Sequence, residues 1–200
     1  MNKSTAAKGT KMSLLIVLSG PSGVGKGSIV KRLRELNPDI ALAVSATTRL
    51  PRTGERDGID YYFLLPADFK AAIAEASFLE WAEVFGNYYG TLKSEVERKL
   101  RLGHDVLLEI DTRGAAQIRE SAMPYLSIFI MPPSLLELSR RIRGRGTESE
   151  ASLTLRLAEA EAEMAQAAFY DYVIVNDQIE EAASRIMELI AAKKETEAQI

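Results

Sequence analysis

Residues Leu14 to Ile29, LLIVLSGPSGVGKGSI, leave this chain few ways to fold. Leu14 to Leu18 is a short apolar run with two β-branched residues, bounded by Gly20-Pro21. Such a run reads as a strand buried on both faces of a parallel sheet. Gly20, Gly23 and Gly25 punctuate a loop that ends in Lys26, and Ile29, Val30 and Leu33 then recur at helical spacing. Strand, glycine loop, lysine and helix form the phosphate-binding pattern G-x-x-x-x-G-K-[ST]. The glycines let backbone N–H groups turn inward with no Cβ in the way. The helix start adds unpaired N–H groups and a positive dipole end. The candidate triphosphate cradle is therefore Gly20, Pro21, Ser22, Gly23, Val24, Gly25, Lys26, Gly27 and Ser28, with Lys26 reaching the β- and γ-phosphates. One position departs from the pattern. Gly27 stands where Ser or Thr is usual, and the nearest hydroxyl, Ser28, comes one later. The protein ligand of a Mg²⁺ ion is thus left open, with Ser28 a candidate.

Composition bounds the rest. Two hundred residues suit one domain with small insertions. A chain of that size buries about 70% of the surface it exposes when unfolded. A net charge of −3 gives no overall attraction to nucleic acid. The absence of cysteine excludes disulfides and thiolate metal sites, and a single histidine, His104, excludes a multi-histidine site. His104, in LGHD, reads as a solvated loop residue. Lys3, Lys8 and Lys11 precede the apolar stretch Met12 to Leu18, which superficially resembles a secretion signal. That stretch is short, and a phosphate loop follows it rather than a cleavage site. No run approaches the roughly 18 apolar residues of a membrane span. The chain is expected to be cytoplasmic, with residues 1–11 a disordered basic tail.

Apolar strands then alternate with helices. Strands are expected at Ile40–Val44, Val106–Asp111, Leu126–Met131 and Tyr172–Asn176. Helices are expected after the loop and at Ser94–Leu102, Thr112–Ser121, Ser134–Arg143, Glu148–Phe169 and Gln178–Thr196. Ser134 followed by Glu137 reads as a capping box. Between residues 44 and 92 the pattern changes. Ser45–Gly58 is polar, basic and turn-rich. Asp60–Leu65 and Phe78–Phe85 read as strands, Pro66–Ala76 as a short helix, and Gly86-Asn87 as a turn into Tyr88–Thr91. The fold class is α/β, a parallel sheet covered on both faces with a small β-rich insertion.

Several residues outside the loop carry candidate chemistry. Arg49 and Arg52 flank Pro51 on one turn, and two guanidinium forks suit a phosphate dianion. Tyr61 and Tyr89 can add hydroxyl donors. Taken alone, such a segment is more often a solvated basic loop. Glu109 and Asp111 end an apolar strand, and the carboxyl ends of strands line the crevice of an open α/β sheet. Arg140, Arg141, Arg143 and Arg145 crowd six residues, with Arg156 beyond, which suits either a solvated helix face or a nucleic-acid patch.

The run S-A-T-T-R-x-P-R-x-G-E-x-x-G-x-x-Y, with F-L-E-W-A-E and G-N-Y-Y-G-T after it, resembles the monophosphate-binding region of guanylate kinases. So do G-P-S-G-V-G-K-G-S, V-L-L-E-I-D, R-R-I-R-G-R-G-T-E-S-E and V-I-V-N-D, in order from Ser19 to Asp177. The Gly27-Ser28 variant also resembles one seen in nucleoside monophosphate kinases. The resemblance implies a three-layer α/β/α P-loop NTPase core over residues 12–43, 93–134 and 157–200. It implies a GMP-binding region over 44–92 and a helical lid over 135–156. It implies that Arg49, Arg52, Tyr61 and Tyr89 hold the GMP phosphate and that Ser45, Glu80 and Thr91 read guanine. Glu109 and Asp111 would lie near GMP and the water shell of Mg²⁺, although the family often has Asp in the place of Glu109. Arg141, Arg145 and Arg156 would be lid arginines closing over ATP, Gly144 and Gly146 would let the lid backbone flex, and Asn176 would sit by adenine. Arg140 and Arg143 match nothing in the family pattern.

The expected reaction is reversible transfer of the γ-phosphate of ATP to GMP, giving ADP and GDP. Lys26, Arg49, Arg141, Arg145 and Arg156 would carry it, with Mg²⁺ as cofactor. The expected partners are ATP and GMP, with no nucleic acid and no membrane. A guanylate-kinase-like interaction module without catalysis is the rival from another class. Such modules have degraded sites, whereas Lys26, Arg49, Arg52, Glu80, Arg141 and Arg145 are all present here. A kinase for a sugar phosphate, the second rival, has no use for Ser45, Glu80 and Thr91. The same three residues disfavour an adenylate kinase.

Overall fold

Strand β1 (Leu15–Ser19) is the middle of a five-stranded, all-parallel sheet in the computed structural model, which describes residues 12–144 and 150–199. The neighbours of β1 are β7 (Asp105–Glu109) and β8 (Leu126–Met131), with β2 (Ile40–Leu42) and β9 (Tyr172–Val175) at the edges. Alternation along β1 explains the layers. Leu14, Ile16 and Leu18 point into one core, with Ile29, Val30 and Leu33 of α1 (Lys26–Leu36) and Ile186 and Ile190 of α7 (Ile179–Glu197). Leu15 and Val17 point into the other, with Val96 of α3 (Lys93–Arg101) and Ala115 and Ile118 of α4 (Thr112–Arg119). Every residue of β1 is buried, and full burial of each Leu, Ile or Val contributes about 1.5–3 kcal/mol. The three-layer α/β/α core expected from the sequence is present.

A second sheet has the order β4-β3-β6-β5. It comprises β3 (Ala46–Thr47), β4 (Tyr62–Phe63), β5 (Phe78–Val84) and β6 (Asn87–Leu92). Helix α2 (Pro66–Ala74) covers it through Phe69, which stacks on Phe78 at 4.2 Å and on Tyr88 at 5.4 Å between ring centres. Two clamps join this sheet to the core. Buried Glu95 of α3 pairs with Lys99 at 2.6 Å and accepts from the Tyr62 hydroxyl at 3.1 Å and the Val44 amide at 3.4 Å. Gln117 of α4 brackets Trp81 of β5, accepting from its N–H at 3.0 Å and donating to its C=O at 2.7 Å.

Among the differences between the sequence expectations and the structure, four stand out. Ala46–Thr47, inside the stretch read as a polar loop, is a fully buried strand pairing with both β4 and β6. The strand expected over Asp60–Leu65 shrinks to Tyr62–Phe63, the two residues in register with Ala46 and Thr47 of β3. The β5–β6 turn is Phe85-Gly86 rather than Gly86-Asn87, with φ of +50° and +75°. Both central residues at positive φ define the type I′ hairpin, whose twist matches the strands. The long helix ends as α6 (Glu150–Met164) and tightens into a 3₁₀ turn over Ala165–Phe169, a common way to close a helix. The expectations for residues 1–11, Arg145 and Gly146 lie outside the described residues.

Candidate active site

The crevice opens at the carboxyl ends of the parallel strands, as in other open α/β sheets. The loop after β1 is shaped by close approach. Gly25 has φ +100° and precedes α1, and a Cβ there would lie 2.7 Å from Asn176 Nδ2, so only glycine fits. Lys26 opens α1, and its ammonium donates to the carbonyls of Gly20 at 2.5 Å and Pro21 at 3.3 Å. Asn176, just past β9 and 2% exposed, donates from Nδ2 to the Val24 carbonyl at 2.8 Å. Arg141 of α5 (Leu135–Arg143) donates to the same carbonyl at 3.3 Å and to Asn176 O at 3.0 Å. Asn176 and Arg141 thus clasp the far side of the loop.

Ser134 caps α5 by accepting from the Glu137 amide at 3.1 Å. The Glu137 carboxylate does not complete the expected box. It turns toward the arginines, accepting from Arg141 Nε at 3.0 Å and Arg140 at 3.1 Å. The two guanidinium neighbours hold its carboxyl below the usual range. Arg156 lies half-buried on α6.

Two cavities meet at the loop. One, of about 420 Å³, is lined by Ser22, Gly23, Gly25, Lys26, Gly27, Ser28 and Glu109. The other, of about 560 Å³, shares Ser22, Lys26 and Glu109 and extends to Asp111, Ser45, Tyr61 and Thr91. Ser45, Tyr61, Thr91, Glu109 and Asp111, all candidates from the sequence, therefore face one space with the loop lysine. A Cβ on Gly27 would stand 3.7 Å from Glu109 Oε1, so the Glu109 carboxylate borders the room left by the missing side chain. Glu109 ends β7 with an exposed side chain, yet partial desolvation by the crevice walls raises its carboxyl, and the nearby Lys26 charge opposes this. A third cavity, of about 440 Å³, lies on the Asn176 side of the loop, with Gly23, Ser28, Arg141 and Ile179 in its wall.

Glu80, on β5, is 8% exposed and accepts from Thr91 Oγ1 at 2.6 Å. Burial raises its carboxyl, the Thr91 hydroxyl opposes the shift, and the Asp111 charge adds to it. Asp111 caps α4, accepting from the Gly114 amide at 2.8 Å.

Arg49, Tyr61 and Tyr89 form a cluster. The Arg49 guanidinium lies 5.4 Å from the Tyr61 ring centre, and the Tyr61 and Tyr89 rings meet edge-on at 6.2 Å. Arg49 is also paired with Glu55 at 2.9 Å. The second oxygen of Glu55 accepts from the Arg52 amide at 2.8 Å, while the Arg52 side chain is exposed. Glu55 was not among the sequence candidates, although a carboxylate six residues after Arg49 in a turn was a usable signal. Glu163 was also missed. It lines the larger cavity and accepts from the Ser22 amide at 3.2 Å.

A family model described as guanylate kinase matches residues 12–193. A guanylate kinase of Clostridium perfringens is 51% identical over 181 residues, 90% of this chain and 84% of that protein. One from Caldanaerobacter subterraneus is 48% identical over 184 residues, 92% of this chain and 89% of that protein. Among solved structures, the crystal structure of guanylate kinase from Anaplasma phagocytophilum superposes with a TM-score of 0.70 at 38% identity. It covers 92% of this chain and 88% of that one. The likeness takes in both sheets and every strand that borders the crevice, and the chain belongs to the guanylate kinase family.

Proposed function

We propose that this chain transfers the γ-phosphate of ATP to GMP, giving ADP and GDP, and that the two cavities meeting at Ser22 and Lys26 are its donor and acceptor sites. One observation carries the reading. A single cavity runs from the loop lysine to Ser45 and Thr91, and Thr91 is bonded to the buried carboxylate of Glu80. An ionised carboxylate there accepts from both N1–H and the 2-amino group of guanine. Adenine offers an acceptor at N1 and no 2-amino group, so buried polar groups would stay unpaired and rejection is strong.

The roles follow from position. The Arg49–Tyr61–Tyr89 cluster, with Arg52, binds the GMP phosphate, and Glu55 keeps Arg49 oriented until the dianion arrives. The loop amides and Lys26 hold the triphosphate, with adenine on the side of Asn176 and Arg141. The acceptor oxygen attacks the γ-phosphorus in line. Lys26 and the arginines balance the spread charge, so catalysis is positioning plus electrostatics. Residues 44–92 form the GMP-binding region and 135–156, with Arg141 and Arg145, the lid, with Arg156 at the junction. The remaining parts of 12–200 form the core. Closure of lid and insertion would exclude water, which otherwise accepts the phosphoryl group.

The donor set fits magnesium. Glu109 and Ser28 are hard oxygen donors beside the loop, and Mg²⁺ binds through one or two carboxylates plus substrate phosphates and water. When bound, the ion neutralises charge on the β- and γ-oxygens. No described helix is long and apolar enough to cross a membrane, and the chain is proposed to act in the cytoplasm.

The test is ADP release with ATP and Mg²⁺ and each of GMP, AMP, CMP and UMP. ADP formed with GMP alone, stoichiometric with GDP, is expected. No turnover with any of the four by folded protein would overturn the reading.

A further inference from the structure

Ser22 and Glu163 lie 141 residues apart in the chain, yet the Ser22 amide donates to Glu163 Oε2 at 3.2 Å. Ser22 belongs to the phosphate loop and Glu163 to the last turn of α6. Arg156 is seven residues earlier on the same helix, two turns away, so the two side chains leave the same face. Ser22 stands with Lys26 and Glu109 where the loop cavity meets the larger one, and Glu163 lines the larger cavity. A phosphoryl group passing from one cavity to the other passes the Ser22 amide.

That amide has one hydrogen to give. A phosphoryl oxygen at the junction competes with Glu163 for it and also meets the like charge of the carboxylate. Lys26 is a cation near Glu163, while Asp111 and Glu159 add further negative charge. The competition falls on nucleotides whose chain of phosphates reaches the junction. It spares those that end within the loop cavity.

We propose that Glu163 is a specificity-determining residue of the phosphate loop, whose carboxylate competes with the transferable phosphoryl group for the Ser22 amide and so weakens triphosphate binding relative to diphosphate. The inference rests on the donor-site reading above. It makes the loop release a terminal phosphate more readily than its amides alone would.

The experiment measures dissociation constants of the β,γ-imido analogue of ATP and of ADP, both with Mg²⁺, by calorimetry on the full chain. Glu163→Gln keeps an acceptor for the Ser22 amide and removes the charge. It is expected to tighten the triphosphate analogue about fivefold or more and ADP less than twofold. Glu163→Asp keeps the charge but withdraws it by one methylene, and is expected to move the ratio in the same direction by less. A purely structural role moves both nucleotides together, so an unchanged ratio in both variants overturns the proposal, as does weaker triphosphate binding in Glu163→Gln. Failure of the wild-type chain to bind the analogue at all would instead overturn the donor-site reading itself.

Discussion

Thr91 Oγ1 donates to Glu80 Oε1 at 2.6 Å across the β5–β6 pair, leaving Glu80 8% exposed with one oxygen committed and the other beside Gly114. A buried carboxylate held only by neutral donors, the hydroxyl and the backbone N–H of Thr91, is a costly group to keep ionised. It is well suited to a ligand that brings two donors.

This predicts opposite effects on stability and on GMP binding. Burial raises the folded-state carboxyl of Glu80 above its ordinary value, so between those two values the folded chain holds more protons than the unfolded one. Stability from this group is therefore present below the ordinary carboxylate range and is lost as pH rises through the folded value. Glu80→Gln removes that loss. Its melting temperature relative to wild type should rise from pH 5 to pH 8, measured without nucleotide. The same variant should raise KM for GMP at least tenfold and KM for ATP less than twofold. Equal losses for both substrates would remove Glu80 as the reader of the base.

Lys26→Ala should abolish phosphoryl transfer while leaving the circular dichroism spectrum unchanged. The ammonium bonds two loop carbonyls, those of Gly20 and Pro21, so its loss removes charge from the cradle without opening the core. A variant that keeps most of its turnover would refute the assignment of the loop.

The β5–β6 turn offers a stability test remote from the crevice. Phe85 is fully exposed at φ +50°, a left-handed conformation that costs a β-carbon-bearing residue roughly 1–2 kcal/mol and that Asn tolerates. Phe85→Asn should therefore stabilise the chain by about 1 kcal/mol in urea denaturation with activity unchanged. A destabilised variant would mean that the ring makes contacts in solution that outweigh the backbone strain.

What the sequence disclosed was local. Leu126–Met131 matches its expected bounds because a continuous apolar run is stopped by Pro132-Pro133, and the phosphate loop is legible because its parts are contiguous. Ser45 and Thr91 were reached through the likeness to a known family, and with Tyr61 they face one cavity. What stayed hidden depends on distant partners. Ala46–Thr47 is a strand only because β4 and β6 lie on either side, and two residues carry no periodicity. Glu163 reads as one more charge on a helix until the fold brings it to Ser22. Glu55 reads as a turn residue until its two oxygens are found on Arg49 and the Arg52 amide.

Asn176 tests whether the loop needs support from behind. Its Nδ2 donates to the Val24 carbonyl at 2.8 Å, and Arg141 shares that carbonyl. Asn176→Asp keeps the shape but replaces the donor with an oxygen, so two acceptors face each other in a buried place. Leaving a buried polar group unsatisfied costs about 1–3 kcal/mol, and every 1.4 kcal/mol is tenfold in affinity. The loop can relieve the clash only by moving Val24 away, which displaces its amides from the phosphate positions. Asn176→Asp should therefore weaken ATP by roughly ten- to a hundredfold, with KM for GMP changed less than threefold. Asn176→Ala removes the donor without adding an acceptor and should fall between wild type and Asn176→Asp. If both variants weakened ATP equally, Asn176 would act through contact with the nucleotide, not through the Val24 carbonyl.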